Sequence, residues 1–355
     1  MLFNFSKNTF GLDVSEGALR LIQLKKRGKN LIIFSFNEIK IDQGIIINGE
    51  IAKLDNLVSS ITKLVKTSQE KKIIAKDVVT VLPEPKTFIK VIEIPYISKE
   101  KDLSESIKEE IKKHIPLNLE EACFDWQIVE QSNKTTKILV GVVPQEISNS
   151  YFSAIQKAGL IPLIFEIEAI AIARAVIDEK EKNTKQAKII IDFGATRTGL
   201  IVYDQQTVQF TSSLPISGNK ITETIATNLK LELAQAEKAK IVCGLDPQKC
   251  EGAVLKIMAL AIDNLANHIN QAITFYKTNS PDSNAVTEII LCGGGANLCQ
   301  IDKVLTEKLK LPVTIANPLI NLGKNRKIKI PQDKLLSYTT AIGLGLRVWQ
   351  KEKHR

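Results

Sequence analysis

Ile189-Ile190-Ile191-Asp192-Phe193-Gly194-Ala195-Thr196-Arg197-Thr198-Gly199-Leu200 is the stretch whose reading decides the fold. It is an apolar strand, an aspartate, a turn of small residues and a second strand. The chain opens with the same grammar, as Phe10-Gly11-Leu12-Asp13-Val14-Ser15-Glu16-Gly17-Ala18-Leu19. Phosphate oxygens need backbone N–H groups that no bulky side chain obstructs. Gly, Ser and Thr permit that approach, and the hydroxyls add donors. Ser15 and Gly17 offer these in the first turn; Gly194, Thr196 and Thr198 offer them in the second. Asp13 and Asp192 each end a buried strand, where a carboxylate could hold a magnesium ion directly or through water. One such aspartate is usually an Asx-turn. Two with one grammar, in separate parts of the chain, point to a phosphate clamp.

A third element completes it. Leu291-Cys292-Gly293-Gly294-Gly295-Ala296-Asn297 runs a buried strand into three glycines. Bare backbone there can lie against a flat or charged ligand. Each glycine costs conformational entropy that packing alone does not return. The chain has no GxxxxGK[ST], which excludes a P-loop, and no GxGxxG after a strand, which argues against a dinucleotide site.

With 355 residues the chain exceeds the ~250–300 at which single cores stop growing, so two lobes are expected. The net charge of +9 raises the question of an acidic partner, but Lys and Arg are spread along the chain. The densest patch, Lys324, Arg326, Lys327 and Lys329, reads as a solvated loop, with an anionic membrane surface as the alternative. Aromatics at 5% and no recognition motif argue against nucleic acid. Met1–Asn8 carries no cleavable apolar core. Glu166, Glu168 and Arg174 interrupt the longest apolar stretch, Leu160–Ile177, which argues against a membrane span. Five cysteines without a CxxC pair and three scattered histidines argue against a metal centre, and reduced thiols are expected.

Periodicity then divides the chain. Strands are expected at Thr9–Val14, Ala18–Lys25 and Leu31–Ile41. A helix follows, with Ile51, Leu54, Leu57, Val58, Ile61, Leu64 and Val65 at helical spacing, then a buried strand at Val78–Leu82. Pro83 and Pro85 mark a boundary. Residues 85–160 read as an inserted β-α-β-β-α subdomain. Small residues from Ala169 to Ala175 permit close packing of the next helix, and Glu179–Lys185 reads as a linker. The second lobe follows, and Tyr338–Gln350, with Gly343 and Gly345, closes the chain as a small-residue helix. The expected division is a first lobe of 1–84 completed by 161–186 and 338–355, the insertion 85–160, and a second lobe of 187–337.

This order of segments resembles the PilM family, actin-like proteins of type IV pilus assembly and relatives of the cell-division protein FtsA. The resemblance rests on the hairpin, the insertion, the Asp-Phe-Gly-Ala-Thr hairpin, Leu214-Pro215-Ile216-Ser217-Gly218-Asn219, Ala236-Glu237-Lys238-Ala239-Lys240, the triple glycine and the terminal helix. Within the insertion it rests on Ile94-Pro95, Ile115-Pro116-Leu117 and Phe124-Asp125-Trp126-Gln127. It implies a two-lobed actin-like (ribonuclease H-like) α/β ATPase fold binding ATP and Mg2+ between the lobes. It places Asp13 and Ser15 on the first phosphate loop, beside Gly17, and Asp192, Gly194 and Thr196 on the second. It places Glu237 and Lys240 near ribose and base, and Gly293, Gly294 and Gly295 on the adenosine turn. Gly218 fits a turn before a helix equally well, Lys240 a solvated helix lysine, and Gly11 packing.

The resemblance further implies a cytoplasmic protein that reaches the inner membrane through partners. The chief partner would be a PilN-like single-span protein, whose N-terminal tail would lie in a groove beside the insertion with contacts around Phe88–Ile94. The chain end, Trp349–Arg355, lacks the amphipathic helix that closes FtsA. The alternatives are an FtsA-like division protein or a small-molecule kinase of the same superfamily. No water-activating residue can be assigned from sequence, so ATP turnover is expected to be slow.

Overall fold

The computed structural model describes residues 8–97, 100–115, 118–181, 185–280, 282–323 and 330–350. The basic patch at 324–329, Pro116-Leu117, residues 1–7 and the tail from Lys351 lie outside the described residues.

The first hairpin forms as its alternation dictates, from β1 (Phe10–Val14) and β2 (Ala18–Arg27), and β3 (Asn30–Lys40) extends it. A two-stranded ribbon, β4 (Ile46–Ile47) and β5 (Glu50–Ile51), precedes α1 (Leu54–Lys66). Ile51 thus belongs to the ribbon and not to the helix. Leu57, Ile61 and Leu64, at i, i+4 and i+7, bury one face of α1. The buried strand is β6 (Asp77–Leu82). The insertion follows as β7 (Phe88–Pro95), α2 (Glu100–His114), β8 (Ala122–Gln131), β9 (Thr135–Pro144) and α3 (Gln145–Lys157). Then come β10 (Ile161–Ile167), α4 (Glu168–Val176), and the second hairpin, β11 (Ala187–Phe193) and β12 (Thr198–Asp204), with β13 (Thr207–Leu214). The remainder is α5 (Gly218–Leu229), α6 (Leu233–Cys243), α7 (Ala253–Asn279), β14 (Val286–Cys292), α8 (Ile301–Leu309), β15 (Val313–Ile315) and α9 (Thr339–Arg347).

Two sheets repeat one topology. The first runs β10-β6-β1-β2-β3; the second begins β15-β14-β11-β12-β13. In each, a three-strand antiparallel meander is followed by two parallel strands beyond its first member. The paired aspartate turns are therefore structural equivalents. Helices α4 and α9 lie between the two sheets. Their Ile172, Ala173, Ala341 and Ile342 share one core with Ile22 and Leu24 of the first sheet and Ile190 and Ile201 of the second.

The insertion extends the second sheet, whose order continues β13-β7-β9-β8, although β13 meets β7 through the single pairing Phe210–Lys90. Its own core packs Ile92, Ile94 and Val140 against Leu103, Ile107 and Ile111 of α2. Helix α3 behaves differently. Its Ile147, Tyr151, Ala154 and Ile155 enter the core of the first lobe with Phe10, Leu12, Leu57 and Ile61. Removing α3 would open that core, so residues 85–160 cannot be excised whole without damage to the first lobe.

Candidate functional site: the cleft between the aspartate hairpins

The two hairpins and the glycine turn converge on a cleft of about 250 Å³. Asp13, Ser15, Gly17, Asp192, Gly194, Thr196, Gly293 and Gly294 all line it. Strand pairing sets the meeting point, because β11 runs parallel to β14 with Asp192 beside Cys292, one residue before the glycines. Gly293 sits at φ +76, in the left-handed region. A Cβ there would strike Asp192 Oδ1 and, at 2.7 Å, Phe193 O, so no side chain fits the turn.

Gly218, Glu237, Lys240 and Gly295 lie outside that lining. Gly295 lies close on Phe193, whose ring would be 2.5 Å from a Cβ placed there. Lys240 is buried, donating to Gly218 O at 2.9 Å and Thr222 Oγ1 at 2.7 Å, with Glu237 Oε2 at 2.7 Å. This cluster ties the start of α5 to α6. It joins the cleft through Gly218 N–H, which donates to Gly194 O at 3.0 Å.

Sequence reading missed three groups here. Arg20 stands opposite Asp13 across the first hairpin, its Nη1 3.4 Å from Asp13 Oδ2 and its Nε 3.0 Å from Glu38 Oε2. Arg197 reaches Glu16 and Glu84. Glu168, at the first position of α4, lines the cleft and accepts from Thr340 Oγ1 at 3.3 Å. Burial, and then the carboxylates Asp192 and Asp13, push Glu168 well above the usual carboxylate range. Arginine opposite aspartate in a hairpin was visible in the alternation. The glutamate was not, since α4 reads as an ordinary packed helix.

Asp13 is 2% exposed, accepts from Ser15 Oγ at 2.7 Å and faces Arg20. Burial raises its carboxyl, and the Arg20 guanidinium opposes that rise. Asp192 is pushed up to about 6, first by burial and then by the Asp13 carboxylate. Both are hard oxygen donors of the kind magnesium takes. Among the described residues, no group of three or more His, Cys, Asp or Glu is spaced to hold a metal ion. The donor set therefore fits magnesium only in its usual mode, one or two carboxylates completed by phosphate oxygens.

The raised Asp192 makes a stability prediction. A carboxyl whose folded value exceeds its unfolded one is harmless below the unfolded value, 3.8, and costs stability as pH rises through about 6. Asp192→Asn should therefore stabilise the nucleotide-free protein at pH 7.5. Because Asp192 is partly open to the cleft, the gain is set at about 1 kcal/mol rather than the full shift. It should shrink to nothing as pH falls from about 6 to 4. Urea unfolding of both proteins across that range measures the difference; a gain that grows toward low pH contradicts the assignment.

At the far end of α6 the structure departs from the expectation of reduced thiols. Cys243 and Cys250 are joined in a disulfide. Cys250, Glu251 and Gly252, with φ of 48, 52 and 69, form a left-handed turn where the bridged loop ends. Cys123, Cys292 and Cys299 are free.

The family model for type IV pilus assembly protein PilM matches residues 11–349. The chain is also similar to cell division protein FtsA of Neisseria meningitidis serogroup B, 25% identical over 209 residues, 54% of this chain and 49% of that protein. FtsA of Pseudomonas aeruginosa is 22% identical over 234 residues, 61% of this chain and 54% of that protein. The chain thus spans about half the length of these curated relatives. Among solved structures it resembles a PilM-PilN type IV pilus biogenesis complex, at 20% identity, 97% of this chain, 99% of that chain and a TM-score of 0.82. It also resembles MreB5 of Spiroplasma citri bound to ADP, at 12% identity, 97% of this chain, 96% of that chain and a TM-score of 0.55. The structural likenesses establish the two-lobed actin-like fold, and the family match over nearly the whole length establishes more: the chain belongs to the PilM family of type IV pilus assembly proteins.

Proposed function

We propose that this chain is an ATP-binding actin-like scaffold of the type IV pilus inner-membrane platform, and that it holds the cytoplasmic N-terminal tail of a PilN-like membrane protein. In this reading the first lobe (1–84, 161–186 and 338–355) and the second lobe (187–337) clamp a magnesium nucleotide, and the insertion (85–160) helps to receive the tail. Asp13, Ser15, Gly17, Asp192, Gly194 and Thr196 surround the phosphates, with Arg20 paired to Asp13 beside them. Gly293, Gly294 and Gly295 approach the adenosine; Gly218, Glu237 and Lys240 flank it. Bound magnesium would supply charge neutralisation, and Asp192, the more open of the two carboxylates, would hold it directly or through water. Glu168 is the group that could orient a water toward the terminal phosphate. No helix of the described residues is long and apolar enough to cross a membrane. Membrane association is accordingly assigned to the partner.

One observation carries the partner reading. A groove of about 1010 Å³ runs between two strand edges. Strand β8 ends one sheet and β10 ends the other, and residues of both line the groove. Sheet edges offer rows of N–H and C=O groups that an extended peptide can pair with, while pockets read its side chains. Apolar walls come from Leu139, Ile164, Phe165, Ile170 and Ile177. Trp349 Nε1, buried at the groove without a hydrogen-bond partner, is a donor in want of an acceptor. The expected contacts around Phe88–Ile94 reduce to Ile89, because β7 is an inner strand whose Ile92 and Ile94 serve the insertion's own core.

Exposed Cys123 on β8 provides the test. In calorimetry the N-terminal peptide of a PilN-like protein should bind the intact protein. A bulky maleimide on Cys123 should weaken that binding at least ~10-fold, about 1.4 kcal/mol, while Cys123→Ser treated alike should bind normally. Equal binding by the labelled protein would remove the groove from the reading.

A further inference from the structure

Six carboxyls and three cations line the cleft: Asp13, Glu16, Glu38, Glu84, Glu168 and Asp192 against Arg20, Lys40 and Arg197. A polyphosphate entering such a site needs cations free to meet it. Arg20 is committed, since Asp13 and Glu38 hold it from two sides. Arg197 is held more loosely. Its Nη2 lies 3.2 Å from Glu16 Oε1 and its Nη1 3.5 Å from Glu84 Oε2. Strong guanidinium–carboxylate bonds run ~2.7–2.9 Å and are often bidentate; these are longer and divided between two acids. Nη1 also donates to Ser213 Oγ, at a long 3.4 Å, and the buried Glu84 keeps Ser213 and Thr211 as further neighbours to hydrogen-bond with when Arg197 departs.

The sequence position sharpens the point. Arg197 follows Thr196 in the turn of the second hairpin and lines the cleft with it. Glu16 follows Ser15 in the turn of the first hairpin, and Glu84 begins the 3-10 turn, Glu84–Lys86, that leads into the insertion. One guanidinium thus spans both hairpins and the root of the insertion.

We propose that Arg197 is the phosphate-sensing residue of the cleft: it leaves Glu16 and Glu84 for the terminal phosphate of a bound nucleoside triphosphate, and the two glutamates compete with that phosphate. The inference rests on the cleft being a nucleotide site. It makes the triphosphate and diphosphate forms differ in one interlobe tie, because a diphosphate leaves Arg197 with its glutamates.

The sign of two opposite substitutions tests it. Arg197→Gln should weaken Mg-ATP binding about tenfold or more, the scale of a lost charge-assisted contact, and change Mg-ADP binding less than about threefold. Glu16→Gln, which keeps an acceptor for the Gly49 N–H that Glu16 now binds at 3.0 Å, should strengthen Mg-ATP binding about threefold or more, as removal of a competitor, and leave Mg-ADP nearly unchanged. Glu84→Gln should act in the same direction. Titrations of a fluorescent nucleotide, displaced by ATP or ADP, read all three variants. A mere interlobe tie predicts lower melting temperatures and an unchanged ATP-to-ADP ratio for Arg197→Gln; that result, or weaker ATP binding by both glutamate variants, overturns the inference. Wild-type protein that binds neither nucleotide overturns the nucleotide reading itself, and this inference with it.

Discussion

Gly343→Ala is expected to destabilise the protein by about 3 kcal/mol or more, the upper range for overpacking a close contact. A Cβ on Gly343 would land on the Ala171 carbonyl, where α9 crosses α4. Backbone cannot step aside as a flexible side chain can, so the helices must separate. Separation would also disturb Arg174, which donates to Gly343 O at 3.0 Å while bonding both oxygens of Glu166 at 2.7 Å. Both helices belong to the core between the two sheets, so the lesion reaches both lobes. Thermal unfolding should show a midpoint lower by roughly 4 °C or more. Gly17→Ala is the control: a Cβ there meets nothing within 4 Å, and stability should stay within about 0.5 kcal/mol. Equal melting of Gly343→Ala and wild type would mean that the helices do not cross as described.

The largest expected effect on a ligand falls at Asp192. Asp192→Ala should weaken Mg-ATP binding by ~1.5–3 kcal/mol, roughly 10- to 150-fold. Magnesium removal should weaken the wild type similarly and the variant hardly at all, because two changes that delete one interaction do not add. Additive losses would place Asp192 away from the metal. Asp13 makes a poorer test, since its removal also strands Arg20 beside Glu38.

Local pattern made most of the architecture legible. Alternation located both hairpins, helical spacing located α1 and α2, and small residues marked α4 and α9 as helices able to pack closely, though not that they would cross each other. Gly11, read as packing, does pack: a Cβ on it would lie 2.7 Å from Gly345 N and Leu344 Cβ. What sequence did not show depends on partners distant along the chain. Helix α3 has the periodicity of any amphipathic helix, and nothing local says that its apolar face belongs to the first lobe. The order β7-β9-β8 is set by long-range pairing, so β8 rather than β7 is the edge strand at the groove. Ion pairs such as Glu16–Arg197 join residues 181 apart and have no local signature. In the cleft, the glycine and aspartate grammar was readable because phosphate demands particular residue types. Glu168, by contrast, acquires its significance only from the lobes that close around it.

Hydrogen exchange with and without the PilN-like N-terminal peptide tests the scaffold reading most directly, because it maps where the partner sits. Amides on unpaired strand edges exchange by local opening and slow when a new strand pairs with them. Slowed exchange concentrated in Ala122–Gln131 and Ile161–Ile167, the two strands bounding the groove, is the predicted result. Protection confined to the second lobe, with both of those strands unchanged at saturating peptide, would contradict it.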